Sequence, residues 1–231
     1  MLIAGIEVEM IRKDIKNLHL AVYPPEGRVR LAAPRDVNEK TLELFVISRL
    51  SWIRKQQRKF ERQDRQSPRK YLDRETHYFL GRGYLLKTMT GEHHPGQARV
   101  RIVRKKYIEA YLNEGEPQEA AGALLENWYR KELKIILAEL VPKWEKILGV
   151  RTNKVRVRGM KTKWGSCNPE TGNILINLEM AKKPMECIEY VVAHELVHLL
   201  ERKHNDQFRA YLDKYLPNWS SLRSQLNEMK I

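Results

Sequence analysis

Two histidines and a glutamate near the C-terminal end of the chain have the types and spacing of a metal-dependent catalytic site. His194 and His198 are four residues apart, and Glu195 directly follows His194. On a helix, residues four apart share one face, so both imidazoles can direct a nitrogen at one zinc ion from about 2.0–2.1 Å. In this H-E-x-x-H arrangement the glutamate accepts a proton from the water that the metal activates. The motif therefore predicts a zinc-dependent hydrolase with Glu195 as general base.

The residues around the motif predict a helix that is apolar on nearly all sides. They are Ile188, Val191, Val192, Leu196, Val197, Leu199 and Leu200. Such a helix belongs in a protein core, where unpaired imidazoles and a carboxylate would be costly to desolvate. A bound metal ion offsets that cost. We therefore favour a metal site over two core histidines that bond backbone carbonyls beside a surface glutamate.

His204 is the leading candidate for a third ligand, which gives one zinc per chain. It lies six residues past His198, which on a continuous helix is about 9 Å further along and on a different face. The polar run at 201–203 predicts that the helix ends there, so that His204 can fold back onto the metal. The alternative third ligands are Glu201, His77, His93 and His94. Three protein ligands and a water make a catalytic site, whereas a fourth protein ligand makes a structural one.

The elements that position these residues belong to a predicted C-terminal domain of residues 117–231. They are an amphipathic helix (118–148), three strands (154–158, 163–167 and 173–178), the histidine helix (185–200) and a last helix (207–216). Pro142 predicts a kink or break in the first helix. Asn205 or Asp206 is the expected cap of the last one.

Residues 1–116 predict a basic, strand-rich N-terminal domain. Apolar residues alternate with polar ones at 6–10, 18–22 and 28–32, which indicates half-buried antiparallel strands. Helical spacing over 38–65 predicts one long helix, and strand patterns return between 78 and 103. The two domains together predict an α+β protein in which the histidine helix packs on a small antiparallel sheet.

Composition limits the setting and the partners of the protein. The 231 residues include 43 Lys and Arg against 29 Asp and Glu, which gives a net charge of +14 and makes an anionic partner plausible. Only two cysteines occur, and they do not have the spacing of a metal-binding pair. The N-terminus lacks the pattern of a secretory signal, and no segment has the apolar length of a membrane span. We therefore expect a cytoplasmic protein that does not contact membranes.

The motifs resemble the YgjP-like family of predicted metal-dependent hydrolases, which is related to the SprT and WLM-type zincin peptidases. The resemblance is carried by Lys161 to Cys167, Gly172-Asn173-Ile174, Asn177, Leu178, His194 to His198, His204 and Phe208. Weaker similarity covers Val29 to Pro34, Ser51-Trp52-Ile53 and Leu80 to Tyr84. The resemblance implies a zincin-like fold, with zinc held by His194, His198 and His204.

The leading function is a zinc-dependent hydrolase of the metallopeptidase type that cuts peptides or proteins. The strand at 173–178 is suited to pair with an extended peptide, or is an ordinary sheet strand above the helix. One alternative is a zinc-dependent phosphohydrolase that acts on nucleotides such as nucleoside triphosphates, because activated water attacks phosphoryl groups as well. Another is a nucleic-acid-binding module with a structural zinc site.

The candidate substrate-binding residues come from the segment before the histidine helix. They are Trp164, Gly165, Ser166, Asn177, Arg158, Lys161 and Lys163. The cations belong to a basic stretch that is either a solvated strand face or an anion-binding surface beside the zinc, through which nucleic acid would associate. Cys167 is expected to be a small buried strand residue, with an inhibitory thiolate on the zinc as the alternative.

Overall fold

The chain folds into two compact units. The computed structural model describes residues 1–23, 27–62, 71–91 and 99–228. The first unit comprises residues 1–65 and the second residues 66–229. The predicted boundary at 116–117 therefore lies inside the second unit. The physical reason is a shared core, because Phe79 and Ile108 from the segment before that boundary are buried in one cluster with Leu125 and Leu196 from the segment after it.

The first unit is a four-stranded sheet with two helices. Its elements are β1 (Leu2–Ile3), β2 (Ile6–Arg12), β3 (His19–Tyr23), β4 (Arg28–Ala33), α1 (Glu39–Ser48) and α2 (Leu50–Arg62). The strand order is β1-β2-β4-β3, and β2 runs parallel to β4, so the prediction of a purely antiparallel arrangement is wrong. The predicted long helix is divided at Arg49, which lies between α1 and α2 with a φ of -110°.

A second four-stranded sheet opens the larger unit. Its strands are β5 (Thr76–Phe79), β6 (Arg82–Thr90), β7 (Val100–Val103) and β8 (Tyr107–Leu112), in the order β5-β6-β8-β7. Alternation along β8 puts Ile108, Ala110 and Leu112 into the core. These apolar side chains bind the sheet to the helices that follow and so make it part of the same folding unit.

The long helix α3 (Ala120–Leu148) forms the centre of the second unit. Its buried residues recur every three or four positions and are Ala121, Leu125, Tyr129, Leu133, Leu137, Val141, Trp144 and Leu148. Pro142 lies inside the helix and does not end it, contrary to the predicted break. Buried residues continue on both sides of the proline, so packing outweighs the hydrogen bond that proline cannot donate.

A small sheet covers the histidine helix. It consists of β9 (Lys154–Arg158), β10 (Gly165–Asn168) and β11 (Asn173–Asn177), in the order β10-β11-β9. β10 is antiparallel to β11, but β9 is parallel to it, so the sheet is mixed rather than antiparallel as predicted. β11 is the central strand and has partners on both sides. It therefore cannot accept a substrate strand, whereas β10 has a free edge as far as the described residues show.

Three helices complete the fold after a short 3-10 helix (Leu178–Lys182). They are α4 (Met185–Val197), α5 (Asp206–Tyr215) and α6 (Trp219–Glu228). The apolar residues of α4 after Met185 are buried, as the sequence predicts for the histidine helix, although the helix ends at Val197 rather than at residue 200. The α+β class and the packing of α4 on a small sheet are confirmed. None of the helices in the described part of the chain combines the length and apolar character that a membrane span requires.

Candidate metal centre

Three histidines converge at the end of α4. His194 is in the last turn of the helix and His198 is its C-cap residue. The chain then turns through residues 199–203, and Asn205 caps α5 by accepting a hydrogen bond from the backbone N–H of Phe208 at 3.0 Å. This turn brings Nε2 of His204 to 3.0 Å from Nε2 of His194. One nitrogen from each of the three imidazoles lies within 4.8 Å of the other two.

Of the alternative third ligands, the two that lie in the described part of the chain, Glu201 and His77, do not join this group. Glu201 lies in the turn, where its carboxylate accepts a hydrogen bond from the backbone N–H of Lys203. His77 is buried in a separate cavity beside Tyr129 and Asn177. His93 and His94 lie outside the described residues.

The aromatic ring of Phe208 packs against all three imidazoles. The ring centroid of Phe208 lies 4.9 Å from that of His194 and 4.7 Å from those of His198 and His204. Phe208 is 2% exposed, so it fixes the rings against the core. Nδ1 of His198 lies 3.1 Å from the backbone carbonyl of Glu201, and a proton on that nitrogen leaves Nε2 free to bind a metal.

The electrostatics of the site keep the imidazoles neutral. Burial, followed by the charges of His198, His204 and Arg223, lowers the pKa of His194 to about 3. The pKa values of His198 and His204 are also lowered, chiefly by burial. A neutral imidazole nitrogen is the form that binds zinc, so this donor set fits a divalent metal ion. Sequence reasoning missed Arg223, because nothing in the pattern of α6 indicates that it lies near the histidines.

Glu195 lies beside the three histidines in a nearly dry environment. It is 5% exposed. Burial raises its pKa to about 7, and the positive charge of Lys163 opposes that rise. A carboxylate with a pKa near neutrality can both accept and return a proton, which is what a general base in hydrolysis must do.

One cavity of about 660 Å³ contains these groups. Its lining includes the histidines, Glu195, Tyr190, Arg202 and the segment from Lys163 to Glu170. The hydroxyl of Tyr190 is 3.5 Å from Nδ1 of His194. It gives that imidazole a polar partner on the ring nitrogen that does not face His204. The ammonium of the buried Lys183 lies 5.0 Å from the ring centre of Trp164 and packs this ring at the cavity wall. The three histidines, the carboxylate of Glu195 and the edge strand β10 thus line the same cavity.

A family model of the YgjP-like metallopeptidase domain matches residues 16–229, which is most of the chain. The chain belongs to the YgjP-like family. It is therefore a metal-dependent hydrolase of the metallopeptidase type. No curated protein is significantly similar to it in sequence.

Solved structures of two archaeal metallopeptidase zymogens also resemble parts of the chain. Abylysin from Pyrococcus abyssi is 22% identical with a TM-score of 0.37, and the match covers 39% of this chain and 90% of abylysin. Jannalysin from Methanocaldococcus jannaschii is 20% identical with a TM-score of 0.34, and the match covers 41% of this chain and 92% of jannalysin.

In this YgjP-like chain, only part of the predicted substrate-binding set lines the cavity. Lys163, Trp164, Gly165 and Ser166 do so. Arg158 is exposed at the end of β9, on the opposite edge of the sheet from β10. Lys161 lines a second cavity of about 360 Å³, which contains His77 but none of His194, His198 and His204. The basic residues of the segment are therefore divided between different surfaces.

Asn177 does not line the cavity with the histidines, and its predicted role in substrate binding stays a prediction. It is 0% exposed. Its amide donates hydrogen bonds to the backbone carbonyls of Met160 at 2.9 Å and Lys163 at 2.7 Å. Its carbonyl accepts from the backbone N–H groups of Met160 and Glu179, each at 3.2 Å. Asn177 therefore holds the 160–163 loop that leads into β10.

Cys167 is half-buried on β10 and lines the cavity. Burial, with a smaller contribution from the negative charge of Glu195, raises the pKa of its thiol to about 11. The thiol is therefore protonated at neutral pH in the metal-free protein, and its position opposite Ile174 in the sheet is that of the predicted strand residue.

Proposed function

We propose that the protein is a zinc metallopeptidase in which His194, His198 and His204 hold one zinc ion and Glu195 is the general base. The observation that carries this proposal is the convergence of three imidazole nitrogens within 4.8 Å in the cavity that also contains Glu195. Among the described residues, no cysteine or acidic side chain joins the three histidines. This favours an open catalytic site over the structural zinc site of a binding module.

The chemistry divides between the metal and the chain. When bound, zinc acts as a Lewis acid that polarises a carbonyl oxygen and lowers the pKa of water to about 7. Glu195 takes the proton of the attacking water and then donates it to the nitrogen of the departing amine. The burial of its carboxylate supports this cycle, because it raises the pKa of Glu195 to about 7.

The free edge of β10 is suited to align a peptide substrate. The backbone N–H of Asn177 donates to the carbonyl of Trp164 at 2.8 Å, and Gly165 lies opposite Ile176. Hydrogen bonding alternates along an antiparallel pair, so the backbone groups of Gly165 and Cys167 point away from β11. An extended peptide can pair with these groups at the cavity. This arrangement supports a protein or peptide substrate, with β10 replacing β11 as the pairing strand.

The other partners receive less support from the site. Lys154, Arg156 and Arg158 form a row of exposed cations on β9, outside the cavity. Binding of nucleic acid to this row stays a prediction, as does a cytoplasmic location. Within the described cavity lining only Lys163 and Arg202 are lysine or arginine, and no observation favours nucleotide hydrolysis over peptide hydrolysis.

Metal removal and restoration test the proposed reaction. Dialysis against a chelator should abolish cleavage of an unfolded protein, and one equivalent of zinc should restore it. Nucleoside triphosphates, assayed in parallel, should remain intact. Zinc-dependent triphosphate hydrolysis without proteolysis would replace the peptidase with the phosphohydrolase. Proteolysis that persists in the metal-free protein would contradict both.

A further inference from the structure

The strand β10 passes unusually close to the side chain of Glu195. A Cβ atom placed on Gly165 would lie 2.6 Å from Oε1 of Glu195, 2.8 Å from its Cγ and 3.0 Å from its Cδ. All three distances are shorter than the 3.4 Å at which ordinary van der Waals contact begins. The space that a side chain at position 165 would occupy is therefore filled by the glutamate.

The backbone of Gly165 does not itself require glycine. Gly165 lies in a paired strand opposite Ile176 and is not among the glycines with positive φ. Any residue can adopt such a conformation. The reason for glycine here is the approach of Glu195, in contrast to a turn glycine such as Gly172, which has a φ of 65°.

Glu195 cannot easily move aside. Its side chain is buried on α4, and both neighbours in the chain, His194 and Leu196, are packed in the site and in the core. The contact with Cγ matters most, because rotation of the carboxylate alone would not relieve it. A methyl group at position 165 would therefore displace the whole side chain.

We infer that Gly165 is the positioning residue of the catalytic glutamate: its missing side chain fixes the place of the Glu195 carboxylate beneath the edge of β10. The catalytic part of this inference rests on the proposed function of Glu195. The packing part does not, since it depends only on the contact between two side-chain positions. Gly165 thus connects β10, the strand proposed to pair with substrate, to the carboxylate of Glu195, the proposed general base.

A stability cycle on the metal-free protein tests the packing part. Gly165→Ala should lower the melting temperature of the second unit by about 2–10 °C because it overpacks the site. In a Glu195→Ala background, which removes all three contacting atoms, the same change should have no larger effect than Gly159→Ala. Gly159 is the matched control because no atom lies within 4 Å of the Cβ that it would gain. An equal loss in both backgrounds would overturn the inference.

An activity cycle tests the catalytic part. Gly165→Ala should lower kcat for peptide cleavage about 100-fold or more while zinc content and KM stay close to wild type. In Glu195→Ala, which lacks Cγ, Cδ and Oε1 and so leaves room for the methyl group, the further loss of residual activity should be under about threefold. Equal losses in both backgrounds, or wild-type activity of Gly165→Ala, would refute a positioning role. If Glu195→Gln leaves turnover intact, the proposed function fails, and the stability cycle still decides the packing part.

Discussion

Nε2 of His194 lies 3.0 Å from Nε2 of His204, although the two residues are ten positions apart and on different elements. In the metal-free protein one neutral imidazole can donate an Nε2–H hydrogen bond to the other at this distance, and burial in the site lowers the pKa values of both rings. The same two nitrogens are close enough to bind one cation, which would replace that hydrogen bond. We therefore treat the turn between His198 and α5 as an element that serves the metal.

Removal of His204 should break the metal site. His204→Ala should reduce the zinc content from about one equivalent per chain to well below one. The loss of zinc affinity should exceed the roughly 10–100-fold that is typical when a residue that only hydrogen-bonds a metal ligand is removed. His19→Ala is the control, since His19 is exposed on β3 in the other unit. Zinc content by atomic absorption after gel filtration measures both variants. Full zinc occupancy in His204→Ala would return Glu201 to consideration as a ligand.

Phe208 should contribute to both stability and metal affinity because it touches all three imidazoles. Phe208→Ala leaves a cavity in the core and should cost about 3–5 kcal/mol of unfolding free energy. It should also weaken zinc binding at least tenfold, since the rings lose their support. Urea denaturation and competition with a zinc chelator provide the two readouts. Phe208→Leu, which keeps most of the volume, should show smaller changes in both, and identical values for the two variants would contradict this role.

Asn177 should affect stability rather than substrate binding. Asn177→Ala removes four hydrogen bonds to backbone groups around β10 and should cost about 2–4 kcal/mol of unfolding free energy. Asn173→Ala on the same strand, whose side chain bonds Asn153, should cost about 1 kcal/mol. Chemical denaturation compares the two. A stable Asn177→Ala protein with a raised KM would restore the substrate-binding interpretation.

The thiol of Cys167 should be unreactive at neutral pH in the metal-free protein. With the pKa raised to about 11, roughly 0.1% of the thiol is ionised at pH 8, against about a quarter of an ordinary cysteine. Alkylation by iodoacetamide should be slower by on the order of 100-fold and should rise about tenfold per pH unit between pH 7 and 9. Peptide mapping separates Cys167 from Cys187. A rate that levels off below pH 9 would show an activated thiolate.

The local patterns were sufficient for the histidine helix and for the core of the site, but they missed β8 and α6 and merged α1 and α2 into one helix. Helical spacing placed His194 and His198 on one face, and the polar run after them indicated the turn that brings His204 back. Sequence could not show which strand is central, because pairing between β9 and β11 is set by contacts between distant segments. For this reason the edge strand, the role of Asn177 and the position of Arg223 emerged only from the fold.

Packing also explains the two failures of boundary prediction. The break before Pro117 resembles a linker, yet Phe79 and Ile108 share a core with α3 and α4. Pro142 has the local effect of a helix breaker, yet Val141 and Trp144 are buried on either side of it. In both places, the burial of apolar side chains from distant segments outweighs a signal confined to a few residues.

The most direct test of the central claim is the turnover of Glu195→Gln with its zinc content measured on the same sample. The substitution keeps the shape of the side chain and removes its capacity to accept a proton. We predict about one zinc per chain, as in wild type, and a kcat for peptide cleavage lower by about 10²–10⁴-fold. Glu201→Gln, in the neighbouring turn, should keep wild-type turnover. Wild-type turnover in Glu195→Gln at full zinc occupancy would contradict the assignment of Glu195 as the general base.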